Sequence, residues 1–579
     1  MLPLTPEQQQ ALQIDARIAV VTAGPGSGKT RLFIEAVQKY LQVWADQRAG
    51  LAALSFTNVA QNEIAARMGG HLGAPHFVGT LDSFMLRFVV RPFAHLVNAS
   101  PAGIRLIPSP LDRQMRFPEV KIGSSPRDTV SIFQVRFNQG VGPSTTFRYT
   151  DRMGRNSNLP AQFCAATLSK KQALWKNSGL MTHSDTHYLA AVILESFPSI
   201  AKLIARRFPV LLVDELQDTS WFLGRGLVEL LKVPTVRGMV VGDPDQAIYE
   251  FGGANPHIFS VIEGLDGAKA FPLTTSQRCA SKICAVASVL TDSGKQVVPK
   301  TDAEEGRAVM LVHSLDKPVP DSSLIQCIGT LTSGAVSLAV LARRNQTISR
   351  LTGEQQKPIF PGHSRLARAI DHACVQLNAG QADRASKTVS KELYDLAFDD
   401  ESFSRRKLLA RGIQLHEWKK HVYMILSSAA ESKATTWNDW ISDLRASMEA
   451  ELKLLTGKTF TLGTLLKKDS ASLRGPGSPT VVSGSWPRTF PLSTVHQAKG
   501  REFSAVIYFQ PKPHARHDPC PSSQWFAAGN EERRIAYVAA TRAMNVFTLC
   551  VHEQTYQNLR ASQPSFVDLF EVALLGDND

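Results

Sequence analysis

The chain has 579 residues, of which 43% are hydrophobic and 20% charged, and it carries a formal net charge of +13. That length exceeds what one hydrophobic core supports, so several domains are expected, and the charge favours a polyanionic partner. No apolar run reaches the ~18 residues of a membrane span, and MLPLTPEQQQ at the start has neither a basic nor an apolar signal region, so a cytosolic chain with no membrane attachment is expected.

From the N-terminus, Ile18 to Thr22 reads as a short apolar, β-branched strand, and Leu32, Phe33, Ala36, Val37, Tyr40 and Leu41 recur at helical spacing from Thr30 to Leu41. Between them lies Ala23, Gly24, Pro25, Gly26, Ser27, Gly28, Lys29, Thr30, Arg31, a glycine-rich phosphate loop in which Ala23 replaces the usual first glycine. Glycine lets the backbone N–H groups of 24, 26 and 28 turn toward an anion, and the following helix adds the positive end of its dipole. Lys29 and Thr30 then stand where a nucleotide's β/γ-phosphates and Mg²⁺ would bind.

Residues 89–190 hold thirteen Lys/Arg against five Asp/Glu in a Gly/Pro/Ser-rich stretch of low helical periodicity. The segment reads as a basic insertion able to neutralise nucleic-acid phosphates, with a solvated surface insertion as the plainer alternative. Next, FPVLLVDELQD (208–218) is a buried strand ending in paired carboxylates. Asp214 is placed to hold Mg²⁺ and Glu215 to orient and deprotonate the attacking water. A third strand, Met239 to Val241, runs into GDPDQ, whose Gln246 could sense the γ-phosphate or the water.

Farther on, Trp437 to Leu455 is helically periodic and ends near Gly457, and RGPGSP at 474–479 reads as a loop. The seven cysteines (164, 279, 284, 327, 374, 520, 550) form no CxxC pair and read as reduced structural thiols. His514, His517 and Cys520 have ligand-like spacing, but no fourth partner is near in sequence, and a polar proline-rich loop is the plainer reading.

Taken in order, LTPEQ with Gln8, AGPGSGKTR, SFTNVAQNEIAARM (55–68), GTLDSF (79–84), DELQD, GDPDQAIYEFGGA (242–254), TSQR (275–278), TVHQAKGREF (494–503) and YVAATRA (537–543) resemble the UvrD/Rep branch of superfamily 1 DNA helicases. FVGTLDSF, RPF, GDPDQAIY and LARRNQ also resemble the helicase component of Gabija anti-phage defence systems. The resemblance implies an α/β fold of two RecA-like P-loop motor domains, parallel sheets flanked by helices, each interrupted by an insertion. The first would comprise 1–88 and 191–270 around the basic insertion 89–190. The second would comprise 271–350 and 488–579 around a helical insertion, 351–487.

It also implies ATP and Mg²⁺ as ligands, with the nucleotide between the motor domains. Arg278 and Arg542 would act as arginine fingers, Lys499 and Glu502 would make polar contacts to the nucleotide, and Gln8 and Arg31 would recognise or cover adenine. Single-stranded DNA would stack on Phe56, Tyr249 and Phe251, while Thr57, Asn58 and Thr80 would bond its phosphates. Movement would run 3′ to 5′. The residues after motif Thr541-Arg542-Ala543 are too few for a fused nuclease domain, so any nuclease partner is expected as a separate chain.

Three functions follow: a helicase or translocase of repair or recombination, the same motor serving a defence complex with a separate nuclease, and a scaffold that holds ATP without turnover. The catalytic carboxylates and both arginines argue against the last. Two positions depart from the family pattern. Gln277 replaces an aromatic that would stack on adenine, and Gly252 replaces an arginine that helps link DNA to the ATP site. Weak coupling between DNA binding and hydrolysis is therefore expected. Gly252→Arg should raise the stimulation of ATPase by single-stranded DNA, and an unchanged stimulation ratio would refute this role of the glycine.

Overall fold

Short apolar runs that end in glycine, serine, threonine or an acid build two parallel sheets in the computed structural model. The described residues are 4–12, 16–56, 73–97, 103–107, 118–125, 128–150, 156–250, 253–315, 322–351, 360, 364–378, 382–400, 403–468, 490–513 and 521–575. They fall into two compact units, Met1–Arg278 with Thr291–Asp302, and Cys279–Leu290 with Ala303–Asp579.

In the first unit, Ile18–Ala23 (β1), Leu51–Ser55 (β2), Phe77–Thr80 (β3), Val210–Val213 (β4), Arg237–Gly242 (β5) and Ala268–Leu273 (β6) form a six-stranded sheet. Its order is β6-β1-β5-β4-β2-β3, and every pairing is parallel. The pleat divides each strand between two cores. Ile18, Val20, Leu211 and Val213 face one core; Ala19, Val21, Val210 and Leu212 face the other. Burial on both faces explains why these strands read as unbroken apolar runs.

Helix Lys29–Gln42 follows β1 directly and buries Leu32, Phe33, Ala36 and Val37. After β3 the chain is helical from Leu81 to Val97, with a π-helical turn at Leu86–Val90. Pro92 lacks an N–H for the α-helical ladder, and the wider turn just before it absorbs the mismatch.

The segment 89–190 is more ordered than its composition foretells. It carries small antiparallel sheets (Glu119–Lys121 with Thr129–Ser131, and Val135–Gln139, Thr146–Thr150, Asn156–Asn158) and an 18-residue helix, Ala161–Ser178. The helix escapes a periodicity reading because its buried face is Cys164, Thr167, Lys171 and Trp175, half of it polar. Lys171 is tolerated there because its ammonium lies 2.7 Å from the Asp185 carboxylate, both side chains being almost wholly buried. It is therefore not among the cations offered to a phosphate backbone. The proposed limit at 190 falls inside helix His183–Ser196, and that at 270 inside β6. The segment Thr291–Asp302 joins the first unit, since Val298 and Pro299 pair in parallel with Thr275 and Ser276.

In the second unit, Arg307–His313 (β7), Leu338–Ala342 (β8), Leu492–Thr494 (β9), Phe503–Phe509 (β10), Ala543–His552 (β11) and Glu571–Leu574 (β12) form another parallel six-stranded sheet, ordered β9-β8-β10-β11-β7-β12. Between β8 and β9 lie the helices Arg365–Asn378, Ala382–Phe398, Leu415–Glu431 and Trp437–Thr456. Thr436 caps the last of these and Gly457, in the left-handed region, ends it. This bundle has its own core, including Tyr394, Trp418, Trp437 and Trp440, distinct from the core beside β8 and β10. The fold is thus α/β, two parallel sheets flanked by helices. Among the described residues no single helix is long and apolar enough to cross a membrane.

A separate core implies separate melting. Trp440 is buried and its indole N–H donates to the Ala429 carbonyl at 2.9 Å, so Trp440→Ala should cost the bundle about 3–5 kcal/mol. Calorimetry should then show an early transition split from the main one; a single transition displaced as a whole would mean that the two cores melt together.

Candidate nucleotide site and nucleic-acid interface

Parallel pairing brings the ends of all six strands of the first sheet to one edge, and the expected motifs are the loops that leave that edge. Register sets their depth: Thr22 pairs with Gly242 and with Pro272, and Val213 with Val240 and Leu54. The phosphate loop after β1 is held from several sides. Gly24 N–H donates to Leu273 O at 2.8 Å, Gln277 N–H to Gly26 O at 2.9 Å, and the Gln8 side-chain amide to Ser27 O at 2.7 Å. Gly26 (φ 70) and Gly28 (φ 82) are left-handed. A Cβ at 26 would lie 2.6 Å from Arg278 Cβ, and one at 28 would lie 2.4 Å from Gln8 Nε2. Glycine is needed at both for backbone conformation and for space. The Lys29 ammonium lies over the loop, donating to Ala23 O (3.3 Å) and Gly24 O (3.2 Å). Gln8 is buried, and its side-chain carbonyl accepts from Thr5 N–H at 3.0 Å while its NH2 group braces the loop.

The carboxylates follow β4. Asp214 is buried, its N–H donates to Leu54 O at 2.8 Å, and its Oδ1 accepts from Glu215 N–H at 2.9 Å. Glu215 has φ 54; among the described residues it and Asp399 are the non-glycine residues with positive φ. Such a backbone costs about 1–3 kcal/mol and persists where surroundings impose it, as here, where it turns the side chain out of the strand line. Gln217 donates to Glu215 Oε2 and accepts from Asp243 N–H at 3.1 Å, which ties DELQD to GDPDQ. Gln246 in turn donates to Asp243 Oδ2 at 2.7 Å. A Cβ on Gly242 would lie 2.3 Å from Gln217 Oε1, so the crossing of these two loops also requires glycine.

Two residues that sequence reasoning missed belong here. Glu7 accepts from the N–H groups and hydroxyls of Thr274 and Thr275, the O···O distance to Thr274 Oγ1 being 2.7 Å, and so fixes the start of TSQR. Lys295 donates to Thr22 O at 2.9 Å, beside the phosphate loop. Its segment is pinned by Asp245, which accepts from Asp292 N–H, Ser293 N–H and Ser293 Oγ at 2.7, 2.9 and 2.6 Å. Burial pushes the Lys295 ammonium below its ordinary pKa; Asp243 opposes this and Lys29 adds to it. A second ammonium beside the phosphate loop adds positive charge where phosphate would lie, while Asp243, Asp245 and Glu7 partly compensate it.

In the second unit, the helix Val495–Ala498 opens with a capping box between Thr494 and Gln497 and ends at Lys499. Glu502 stands just before β10. Arg542, 4% exposed, ends helix Glu531–Thr541, donates to Arg501 O at 3.3 Å, and accepts at its carbonyl from Phe503 N–H at 3.0 Å. The HQAKGREF and ATRA segments are therefore one assembly. Arg343 of LARRNQ binds both Glu532 oxygens (2.7 and 2.9 Å), anchoring the N-terminus of that helix.

For nucleic acid, Phe56 (37% exposed) stacks on Tyr249 with ring centroids 6.4 Å apart. Burial raises the Tyr249 hydroxyl pKa, and the charges of Asp218 and Glu215 raise it further. Thr80 caps helix Leu81–Met85, accepting from Ser83 N–H at 3.1 Å, a role that its motif did not announce. Thr57, Asn58, Phe251, Gly252, His514, His517, Cys520 and the RGPGSP loop lie outside the described residues.

Comparison with known proteins matches the chain to helicases over most of its length. The UvrD/REP helicase N-terminal domain profile matches residues 4–264, and the UvrD-like helicase C-terminal domain profile matches 481–554. DNA helicase II of Salmonella typhimurium is 26% identical over 626 aligned positions, covering 95% of this chain and 84% of that protein. ATP-dependent DNA helicase Rep of Escherichia coli is 26% identical over 313 positions, 51% of this chain and 44% of its own. Gabija protein GajB of Bacillus cereus is 22% identical over 547 positions, 93% of this chain and 94% of its own.

The position of Lys295 yields a test. Lys295→Met removes a charge-assisted contact and should weaken nucleotide binding roughly 10- to 100-fold, equivalent to about 1.5–3 kcal/mol. Thermal stability of the nucleotide-free protein should change little, because relief of the buried ammonium and of its repulsion from Lys29 is set against loss of the Thr22 bond and of attraction to Asp243. Unchanged affinity for a non-hydrolysable nucleotide, measured by calorimetry, would remove Lys295 from the site.

Proposed function

Because the chain belongs to the UvrD/Rep helicase family, we propose that this ATP-dependent helicase moves 3′ to 5′ along single-stranded DNA in the cytosol, in the service of repair or recombination. One observation carries the reading: the phosphate loop, the DELQD carboxylates, GDPDQ and TSQR all leave the same edge of one sheet, with the loop hydrogen-bonded to TSQR and DELQD to GDPDQ. Loop N–H groups and Lys29 hold the β/γ-phosphates. The hydroxyl of Thr30 and the carboxylate of Asp214 suit a hard, oxygen-seeking Mg²⁺, which would supply charge neutralisation to the phosphates. Glu215 accepts the proton of the attacking water, and Gln246 responds to the γ-phosphate or that water. Arg278, with Arg542 of the second unit, neutralises charge that develops on the transferred phosphoryl group. Lys499 and Glu502 contact the nucleotide, while Gln8 and Arg31 lie on the adenine side. Phe56 and Tyr249 offer stacking faces to successive bases without reading their identity; Phe251, Thr57 and Asn58 complete the proposed strand contacts, with Thr80.

A second reading makes the same motor the ATPase of an anti-phage complex with a separate nuclease chain. The near-equal length match to the Gabija relative keeps it as an outcome of the test. Steady-state ATPase of wild type, Lys29→Ala and Glu215→Gln should be measured with no nucleic acid, single-stranded DNA, duplex DNA and RNA at two salt concentrations. Single-stranded DNA should stimulate hydrolysis, high salt should weaken the effect, Lys29→Ala should abolish it, and Glu215→Gln should lower kcat by ~10²–10⁴. Strand displacement from 3′- and 5′-tailed duplexes then reads polarity. Hydrolysis indifferent to every nucleic acid would overturn the free-standing motor and favour dependence on a partner.

A further inference from the structure

Three side chains from distant parts of the first unit meet outside the nucleotide chemistry. Asp82 lies in the short helix after β3. His183 opens helix His183–Ser196 and His187 lies one turn on, a spacing that sets both imidazoles on one face. Asp82 Oδ2 is 2.8 Å from His183 Nδ1 and Asp82 Oδ1 is 2.7 Å from His187 Nε2. One ligand atom from each residue lies within 4.8 Å of the other two. We propose that Asp82, His183 and His187 form a mononuclear site for a transition-metal cation of the Zn²⁺ class.

The distances suit such a cation. Bonds of about 2.0–2.2 Å to each ligand place the ligand atoms roughly 3–3.6 Å apart, which small side-chain rotations reach from the present arrangement. Two imidazoles and one carboxylate favour Zn²⁺, Co²⁺ or Ni²⁺ over Mg²⁺ or Ca²⁺, which prefer all-oxygen sites. A further contact orients a ligand: His187 Nδ1 is 3.2 Å from Ser220 Oγ. That hydroxyl can accept the Nδ1 proton and leave the Nε2 lone pair for the cation, as partners of metal-bound histidines commonly do. A cavity of about 260 Å³ adjoins the group, lined among others by His183, His187, Ser220, Arg136 and Trp221. It gives the cation an approach and a remaining position for water or an anion paired with Arg136. The His183 side chain is 54% exposed, so the site opens to solvent.

A metal here would join three segments with different duties. Asp82 is two residues beyond Thr80 at the proposed DNA-facing end of β3, the histidines lie on the helix that returns from the basic insertion, and Ser220 follows DELQD. The cation would restrain that helix against the sheet edge.

The test uses the full-length chain without a polyhistidine tag, stripped with chelator and titrated with Co²⁺ and then Zn²⁺. The expected result is one tight equivalent whose visible spectrum is that of nitrogen and oxygen ligands, displaced by Zn²⁺, with a melting temperature raised by metal. His183→Gln, at an exposed position, should leave the metal-free melting temperature nearly unchanged and weaken Co²⁺ binding roughly 10- to 100-fold or more. His187→Gln and Asp82→Asn should do the same to the spectrum. Absence of binding at micromolar Co²⁺, affinity unaltered in His183→Gln, or a thiolate charge-transfer band that disappears on Cys520→Ser would each overturn the assignment.

Discussion

The phosphate loop can keep its shape only because two glycines let neighbouring chain come within contact distance. Gly26 admits the backbone of Gln277 and the base of Arg278, and Gly28 admits the Gln8 amide. From that constraint the rest of the site follows. TSQR is placed by Gly26 of the loop on one side and by Glu7 on the other, so the backbone leading to the arginine that ends it is fixed from both sides. Preorganisation of this kind is what allows charge stabilisation without reorganisation during the reaction.

A chain of hydrogen bonds runs across the sheet edge from the carboxylates to Lys295. It passes from Asp214 through Glu215, Gln217, Asp243 and Gln246, while Asp245 of the same GDPDQ turn holds the segment that delivers Lys295. The left-handed Glu215 is the strained link, and Gln217 from within the same motif holds it. Small displacements of GDPDQ therefore bear on both the proposed base and the second lysine. Local order of this density also explains why a Cβ at Gly242 would crowd Gln217 and Phe259.

Much of this was legible in the sequence, and the remainder was hidden for identifiable reasons. The strands β1, β4 and β5 announce themselves because burial on both faces demands apolar runs, and helix Trp437–Thr456 because it buries one stripe and carries end signals. The phosphate loop and the carboxylates are local motifs, so linear spacing reveals them. Glu7, Lys295 and the contact of Asp82 with His183 and His187 depend on residues 101 to 273 positions apart, which no local pattern brings together, although the one-turn spacing of the two histidines was itself visible. Helix Ala161–Ser178 was obscured by a buried lysine whose partner, Asp185, lies in another element. Thr80 shows the opposite difficulty: a threonine at a strand end serves equally as helix cap or phosphate ligand, and sequence cannot separate the two.

The same lattice of contacts bears on how strand and nucleotide could influence each other within the first unit. Tyr249 stacks on Phe56 at one side, while the charges of Glu215 and Asp218 reach its hydroxyl on the other. Arg148 of the insertion donates to Glu250 O at 2.8 Å, so the basic segment grips the residue next to Tyr249. A base that displaced Phe56 or Tyr249 would thus disturb the environment of Glu215 without any arginine at position 252. Packing at Tyr249 joins the Phe56 ring to the surroundings of Glu215, with Arg148 bonded to the neighbouring Glu250 at one end and Gln217 bonded to Glu215 at the other.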